Sequence, residues 1–195
     1  MDICFATNNA HKAQEINQLL GHPFRVLSLA EIGCTEELPE NQDTLAGNSE
    51  EKATYVHRHY NVNCFADDTG LEVDALAGQP GVYSARYAGP QRRSEDNMRL
   101  LLSELANKDD RSAQFRTVIT LWLNDKMHQF EGRVRGTIAA ERSGEQGFGY
   151  DPIFIPEGHT RSFARMTTEE KNELSHRGRA VRQLVAFLVN HRAHG

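Results

Sequence analysis

The chain has 195 residues and a mass of 22.0 kDa, enough for one compact domain or two small lobes with a sizeable hydrophobic core. Apolar residues make up 38% of the sequence and charged residues 25%, a balance that is typical of globular proteins and excludes disordered or collagen-like chains. The 22 Lys and Arg residues against 27 Asp and Glu residues give a net charge of −5. This acidic balance argues against a protein that coats nucleic acid, whereas a few local cations are enough to bind a small anionic ligand.

The sequence also indicates where the protein works. The longest apolar run, residues 184–189, is far shorter than the roughly 20 residues that span a bilayer. The first residues do not resemble a secretory signal, and the three cysteines form no CxxC pair, which fits a reducing compartment. We therefore expect a cytoplasmic protein without a membrane or nucleic-acid partner.

The N-terminal part of the chain predicts two strands and two helices. Residues 1–6 are typical of a short buried strand, and a helix with one apolar face follows the polar loop 7–12. A second helix is expected over residues 48–60. Residues 62–66 then predict a strand that ends in the polar segment 67–70.

The middle of the chain predicts a helix and a pair of strands. Ser94 is a good N-cap, and apolar residues recur at helical spacing after it. Residues 115–123 predict a strand that is partly buried on both faces. Residues 126–140 are expected to be its antiparallel partner, broken at Gly132 and Gly136.

Two helices are expected near the C-terminus. Thr167 and Glu170 match a capping box that opens a short helix, and a final helix follows with Ser175 as its cap. Strands and helices are interspersed without a long linker. The sequence therefore predicts an α/β fold with a mixed twisted sheet, as a single domain over residues 1–195.

The loop between the first strand and the first helix is a candidate phosphate site. A helix N-terminus presents backbone N–H groups and the positive end of the helix dipole to an anion. Thr7 and Asn9 add side-chain hydrogen bonds, and Lys12 adds a positive charge. The glycines of a Walker loop are missing, so an ordinary polar turn with a solvated lysine is the alternative.

Adjacent carboxylates follow the second strand. Neighbouring residues of a strand point to opposite faces, so Asp67 and Asp68 are expected to serve different tasks. One of them could bind a hard cation such as Mg²⁺ or remove a proton from water, with Thr69 and Gly70 beside the same anion. Glu40 would share a divalent ion only if the fold brings it towards Asp68. A turn that simply caps the strand is the alternative.

Residues 147–152 could bind a planar ring. Glycines surround Phe148, Tyr150 and the carboxylate of Asp151. This combination suits stacking on a nucleobase and hydrogen bonding to its edge. Aromatic residues that are simply held in the core are the alternative.

A basic cluster lies near the start of the last helix. Lys171 and Ser175 are one helical turn apart, and His176 and Arg177 follow directly. These residues could converge on a ring that carries a carbonyl group. A solvated helix end is the alternative for such a cluster.

Taken together and in order, these segments resemble the inosine/xanthosine triphosphate pyrophosphatase family, which hydrolyses non-standard purine nucleotides. The resemblance extends over essentially the whole chain and rests on co-linear motifs. The matching segments are residues 5–12, 39–53, 66–76, 80–87, 148–152 and 170–177.

The resemblance implies a mixed α/β fold with helices forming two lobes around a central nucleotide cleft, and a homodimer. It also implies Mg²⁺-dependent cleavage between the α and β phosphates, with a nucleoside monophosphate and pyrophosphate as products. Asp68 would be the general base, and Glu40 and Asp68 would bind the metal with help from Asp67. The other positions that the resemblance assigns, all to substrate binding, are Thr7, Asn8, Asn9, Ala10, His11, Lys12, Lys52, Thr69, Gly70, Phe148, Gly149, Tyr150, Asp151, Lys171, Ser175, His176 and Arg177.

Within this set the resemblance implies a division of labour. The loop 7–12 and Lys52 would hold the triphosphate, Phe148 would stack on the purine, and the C-terminal positions would surround its 6-oxo edge. Donors on Lys171 and Arg177 would favour a 6-carbonyl over the 6-amino group of adenine, because a buried donor without a partner costs about 1–3 kcal/mol.

Three positions depart from the family pattern. Asn8 replaces a glycine in the first loop, and we expect the turn to survive because Asn tolerates a positive φ. Gly47 stands where the family often has Glu, which excludes a metal or phosphate role for position 47. Thr69 replaces the commoner Ser and keeps the hydroxyl group.

Two other functions are alternatives. A non-catalytic nucleotide-sensing module would bind nucleotide without turnover, although the presence of both Asp68 and Glu40 argues against it. A pyrophosphatase for modified pyrimidine nucleotides would share the phosphate chemistry and differ in the base.

Overall fold

The structure, a computed structural model, describes residues 1–20 and 23–193. The strands are β1 (Asp2–Phe5), β2 (Arg25–Leu27), β3 (Cys64–Val73), β4 (Pro80–Gly81), β5 (Ser112–Leu123), β6 (Lys126–Ile138) and β7 (Phe154–Pro156). The helices are α1 (Ala10–Leu20), α2 (Leu45–Tyr60), α3 (Ser94–Glu104), α4 (Thr168–Leu174) and α5 (His176–Ala193). Among these described residues, no helix is long and apolar enough to cross a membrane.

The strands form one mixed sheet. Its order is β2-β1-β3-β5-β6-β7, and β4 pairs with β3 outside this path. Strand β1 runs parallel to both β2 and β3, whereas β4 is antiparallel to β3 and β7 is antiparallel to β6. The predicted α/β class with a mixed sheet is therefore confirmed.

The chain divides into two compact units, each built from separate stretches of sequence. The first unit contains residues 1–68, residues 117–132 and the chain from residue 177 onwards. The second unit contains residues 69–116 and 133–176. Strands β3, β5 and β6 each contribute residues to both units. The expected arrangement of two lobes around a nucleotide cleft stays a prediction.

The first unit buries both faces of its part of the sheet. Ile3 and Phe5 pack with the apolar stripes of α1 and α5, and Phe5 stacks on Phe65 with ring centroids 4.7 Å apart. Cys4 and Ala6, each of which follows one of these residues in the sequence, pack with α2 in a separate cluster. Because alternate residues of a strand point to opposite faces, helices cover the two sides of the parallel strands.

The second unit has one hydrophobic core. Phe115 of β5 contacts Phe154 and Phe163, with ring centroids 4.7 Å and 6.2 Å away. Gly136 allows β7 to approach β6 closely, because a Cβ atom at this position would lie 2.3 Å from the carbonyl oxygen of Ile155. The expectation that glycines break this strand was wrong, since β6 runs unbroken through both Gly132 and Gly136.

Strand β3 differs from its prediction in a way that matters for the site. It continues to Val73, so the polar segment 67–70 lies inside the strand and not after it. Beyond this segment β3 still belongs to the sheet, because Leu71 and Glu72 pair with Gly81 and Pro80 of β4. The adjacent carboxylates therefore sit on rigid backbone.

One predicted helix cap, Ser94, needs correction, and helix α2 begins earlier than expected. Thr44 is the N-cap of α2, where its side chain accepts a hydrogen bond from Gly47 N, so this helix begins before residue 48. Ser94 is the first residue of α3 and not its cap, because the first helical hydrogen bond already runs to the carbonyl of Arg93. The capping box of Thr167 at the start of α4 is confirmed.

Candidate active site

The first helix brings Lys12 to Asp67. Strands β1 and β3 are parallel, with Phe5 opposite Phe65, so α1 starts at the sheet edge at which β3 carries its carboxylates. The Nζ atom of Lys12 lies 3.1 Å from Oδ1 and 3.0 Å from Oδ2 of Asp67. Lys12, which was predicted to bind phosphate, and Asp67, the first of the two predicted carboxylates, are therefore direct partners.

The loop before α1 satisfies some of its own donors. Oδ1 of Asn9 accepts hydrogen bonds from the backbone N–H groups of His11 and Lys12, at 3.0 Å and 3.2 Å, and Thr7 Oγ1 accepts one from Asn9 N. The expectation of an open helix N-terminus therefore needs correction, because Asn9 caps it. Asn8 is not among the described residues with a positive φ, so the replacement of glycine requires no left-handed backbone.

Asp67 anchors a buried ion-pair network. Nε of Arg177 lies 3.4 Å from its Oδ2, and the same guanidinium also pairs with Glu15. Burial by itself raises the pKa of Asp67, but the nearby cations Lys12 and Arg177 outweigh it and hold this pKa well below its usual range. Asp67 is therefore ionised throughout the physiological range.

Two residues one turn apart on α2 hold Asp68. Nδ2 of Asn48 donates to Oδ2 of Asp68 at 3.1 Å, and Nζ of Lys52 lies 3.8 Å from its Oδ1. Burial raises the pKa of Asp68, and the attraction of Lys52 and Lys12 offsets this only in part. A raised pKa makes this carboxylate a better proton acceptor than an exposed one.

Glu40 meets the condition set by the sequence, because it shares a cation with Asp68. Its Oε1 lies 2.6 Å from Nζ of Lys52. The same helix holds the loop that carries Glu40, since Oδ1 of Asn48 accepts a hydrogen bond from Gln42 N at 2.9 Å. Both carboxylates therefore approach the ammonium group of Lys52.

These carboxylates suit a magnesium ion. No group of three or more His, Cys, Asp or Glu side chains within residues 1–20 and 23–193 is arranged to hold a metal ion. Mg²⁺ is typically bound by one or two carboxylates together with water and substrate phosphates, and not by an all-protein cage. Glu40 and Asp68 offer such a pair, since both carboxylates approach Nζ of Lys52.

In the second unit, Lys171 of α4 contacts the aromatic loop, residues 147–152, which carries Phe148 and Asp151. Oδ2 of Asp151 accepts hydrogen bonds from Phe148 N at 2.8 Å and from Lys171 Nζ at 2.7 Å. The Nζ atom of Lys171 also lies 5.0 Å from the centre of the Phe148 ring. Gly147 has a φ of +73°, and a Cβ atom there would lie 2.1 Å from Oδ2 of Asp151, so only glycine fits. Ring, carboxylate and ammonium group form one local cluster.

The neighbours of this cluster are buried. Tyr150 is 5% exposed, and its hydroxyl donates to the carbonyl oxygen of Ser84 at 2.8 Å. His176 stacks on Phe115 with ring centroids 4.6 Å apart, and Ser175 is buried between α4 and α5. The alternative of a solvated helix end is therefore excluded for Ser175 and His176.

The structure divides the predicted site residues between the two units. The first unit contains Thr7, Asn8, Asn9, Ala10, His11, Lys12, Glu40, Lys52, Asp67, Asp68 and Arg177. The second unit contains Thr69, Gly70, Phe148, Gly149, Tyr150, Asp151, Lys171, Ser175 and His176. Arg177 was expected among the base-binding positions, and in the structure it pairs with two carboxylates of the first unit.

Three residues that contact predicted site residues, within one unit or the other, were not predicted from the sequence. Asn48 holds Asp68, Glu15 pairs with Arg177, and Ser84 accepts the Tyr150 hydroxyl. For Asn48 a signal was available, because it lies four residues before Lys52 and therefore on the same helix face. The other two depend on contacts between distant stretches of sequence.

Comparison with known proteins identifies the family. The sequence pattern of the Ham1 family matches residues 3–187, which is nearly the whole chain. The chain therefore belongs to the Ham1 family.

Named relatives and solved structures agree with this assignment. The chain is 53% identical to a dITP/XTP pyrophosphatase of Flavobacterium psychrophilum, over 97% of this chain and 100% of that protein. It is 43% identical to a dITP/XTP pyrophosphatase of Bacillus subtilis, over 94% of each. Its fold is similar to the Staphylococcus aureus Ham1 protein, with a TM-score of 0.90 at 38% identity, over 98% of this chain and 100% of that one. It is also similar to a nucleoside-triphosphatase / dITP/XTP pyrophosphatase of Mycobacterium abscessus. The TM-score is 0.77 at 39% identity, over 94% of this chain and 98% of that one.

Proposed function

We propose that this chain hydrolyses the non-standard purine nucleotides ITP, dITP and XTP to the nucleoside monophosphate and pyrophosphate, in a reaction that requires Mg²⁺. Relatives that are 53% and 43% identical over nearly the full length are dITP/XTP pyrophosphatases. The observation that carries the proposal is the setting of Asp68, a buried carboxylate with a raised pKa that is held by Asn48 and Lys52 close to Glu40.

The residues of the first unit suit attack of water on a phosphate anhydride. Such a reaction needs an oriented nucleophile and neutralisation of charge, with little covalent participation by the protein. Asp68 accepts the proton of the attacking water, and Lys12 and Lys52 supply positive charge to the triphosphate. Glu40 and Asp68 would hold a magnesium ion, which would neutralise the phosphate charge further.

The residues of the second unit suit a purine with a 6-oxo group. Phe148 offers a ring face for stacking, and Lys171 is fixed beside it by its bond to Asp151. A donor held in this way can pair with a 6-carbonyl group but not with the 6-amino group of adenine. The loss of one such pair corresponds to about 1–3 kcal/mol, or roughly one to two decades of selectivity.

A substrate panel tests the proposal. The purified chain is mixed with ITP, XTP, GTP or a modified UTP in the presence of Mg²⁺ or of a chelator, and pyrophosphate release is measured. We expect fast release from ITP and XTP with Mg²⁺ only. Hydrolysis of ITP at the background rate overturns the proposal. Tight binding without turnover supports a sensing module, and preference for modified UTP supports a pyrimidine pyrophosphatase.

We also propose that the protein is a cytoplasmic homodimer that acts on free nucleotides and keeps them out of DNA and RNA. The three cysteines are free and buried, which suits a reducing compartment. For the dimer contact, the segment 78–90 and helix α3 are candidates, and Tyr83 in that segment is 51% exposed. Sedimentation of the purified chain tests the dimer, and a monomer at micromolar concentration contradicts it.

A further inference from the structure

We propose that Ser84 and Asn97 are positioning residues. They fix the position of the loop 147–151 relative to the strand segment 69–71. This inference rests on the proposed function, which assigns the loop to the base and Thr69 with Gly70 to the phosphates. All the residues concerned belong to the second unit.

Ser84 binds both segments through different atoms. Its backbone carbonyl accepts the hydrogen bond of the Tyr150 hydroxyl at 2.8 Å. Its Oγ atom accepts a hydrogen bond from Leu71 N at 2.9 Å and donates to the carbonyl oxygen of Gly81 at 2.6 Å. Ser84 is buried, so water does not compete for these bonds. One residue thereby connects the residue that follows Gly70 with the centre of the aromatic loop.

Asn97 fixes the carbonyl group on which Tyr150 depends. Its Nδ2 donates to the carbonyl oxygens of Ser84 at 3.4 Å and Ala85 at 3.1 Å, and its Oδ1 accepts a hydrogen bond from Ala88 N at 2.7 Å. Asn97 is 4% exposed and lies on α3, whose apolar face packs into the core. The helix therefore serves as a rigid support for the segment that contains Ser84.

The hydrogen bond between Tyr150 and Ser84 matters because Tyr150 lies in sequence between Phe148 and Asp151, the residues of this loop to which a function is assigned. Phe148 and Asp151 flank it in sequence, and Asp151 in turn holds Lys171. A shift of the Tyr150 hydroxyl displaces the stacking ring and the ammonium group together. Misplacement of binding groups by about 1 Å can cost a hundredfold in rate, so a support of this kind has kinetic consequences.

Kinetics with two purine substrates test the proposal. The variants Asn97→Ala and Tyr150→Phe are compared with the wild type for ITP and GTP in the presence of Mg²⁺. For each variant we expect KM for ITP to rise about tenfold, with a smaller change in kcat, because each change removes one of the buried hydrogen bonds to the Ser84 carbonyl. The preference for ITP over GTP should fall. The double variant should lose less than the product of the two single effects, because both act through Ser84.

Leu101→Ala is the matched control. Leu101 lies one turn after Asn97 on the same helix and is fully buried, so this change lowers the melting temperature without removing any of the hydrogen bonds that Ser84 makes. We expect it to leave KM for ITP and the ratio of ITP to GTP unchanged.

Three results overturn the positioning role. The first is that Asn97→Ala and Tyr150→Phe are both active and keep the wild-type KM and base preference. The second is that their effects are independent in the double variant. The third is that Leu101→Ala changes the base preference as much as these two variants do. A wild type that releases no pyrophosphate from ITP overturns the proposed function itself and this inference with it, so the two failures are distinguishable.

Discussion

Asn48 donates a hydrogen bond to Asp68 across the buried interior of the first unit. Its Nδ2 lies 3.1 Å from Oδ2 of Asp68, and Asn48 is 1% exposed. Because Oδ1 of the same amide accepts the backbone N–H of Gln42, the amide has one orientation and can only donate to the carboxylate. One oxygen of Asp68 is therefore fixed by Asn48, and Oδ1 lies towards Lys52.

Replacement of Asn48 by Ala should impair turnover more than binding. The carboxylate loses the donor that orients it, and a reduction of kcat by about tenfold or more follows. KM and kcat for ITP measure the effect. Thr44→Ala is the control, because it removes the N-cap of the same helix without touching Asp68. It should cost about 1 kcal/mol of stability. Equal kcat values in wild type and Asn48→Ala would contradict the orienting role.

Asp68→Asn should abolish turnover and leave the fold intact. The amide has nearly the same shape but cannot accept the proton of the attacking water, so kcat should fall by about a hundredfold or more. Pyrophosphate release and the circular dichroism spectrum check both parts. Asp74→Asn makes the same chemical change at a surface ion pair with Arg135 and should retain full activity. A well-folded, active Asp68→Asn variant would exclude Asp68 as the base.

Asp67→Asn should destabilise the protein strongly. The change leaves the buried cations Lys12 and Arg177 without the carboxylate between them, and breaking a buried pair in this way costs about 3–5 kcal/mol. Urea unfolding at neutral pH measures the loss. The control is Asp2→Asn, which breaks an exposed pair with Arg25 at 3.5 Å and should cost at most about 1 kcal/mol. Similar losses in both variants would be inconsistent with a buried network.

The Glu36 carboxylate should contribute to acid sensitivity. Hydrogen bonds from the hydroxyl groups of Tyr60 and Tyr55 lower its pKa from 4.5 to about 2. Since the folded pKa is depressed, this contribution is fully present above pH 4.5 and is lost as the pH falls towards 2. The melting temperature of Glu36→Gln should therefore differ from wild type at pH 6 and approach it at pH 3. Glu37→Gln, at the next residue, is the control, and the same pH dependence in both variants would rule out this origin.

Local patterns predicted many of the elements, and the exceptions have physical causes. The apolar stripe of α5 and the capping box of Thr167 depend on neighbours in sequence, and both are confirmed. The extension of β3 to Val73 involves pairing with other strands, including β4, and residues 62–66 do not encode these contacts by themselves. Motif resemblance likewise indicated Lys12 and Asp67 as site residues, but not that they are partners.

The sequence by itself determined the fold class and the family and indicated the candidate site residues, because these depend on residue types in a fixed order along the chain. Only the tertiary structure decided which charges meet. It placed Lys52 beside both Glu40 and Asp68, paired Arg177 with Asp67, and gave Asp68 its raised pKa. The reason is physical: burial and distances between remote residues arise only when helices pack on the sheet, and they set the strength of every electrostatic interaction.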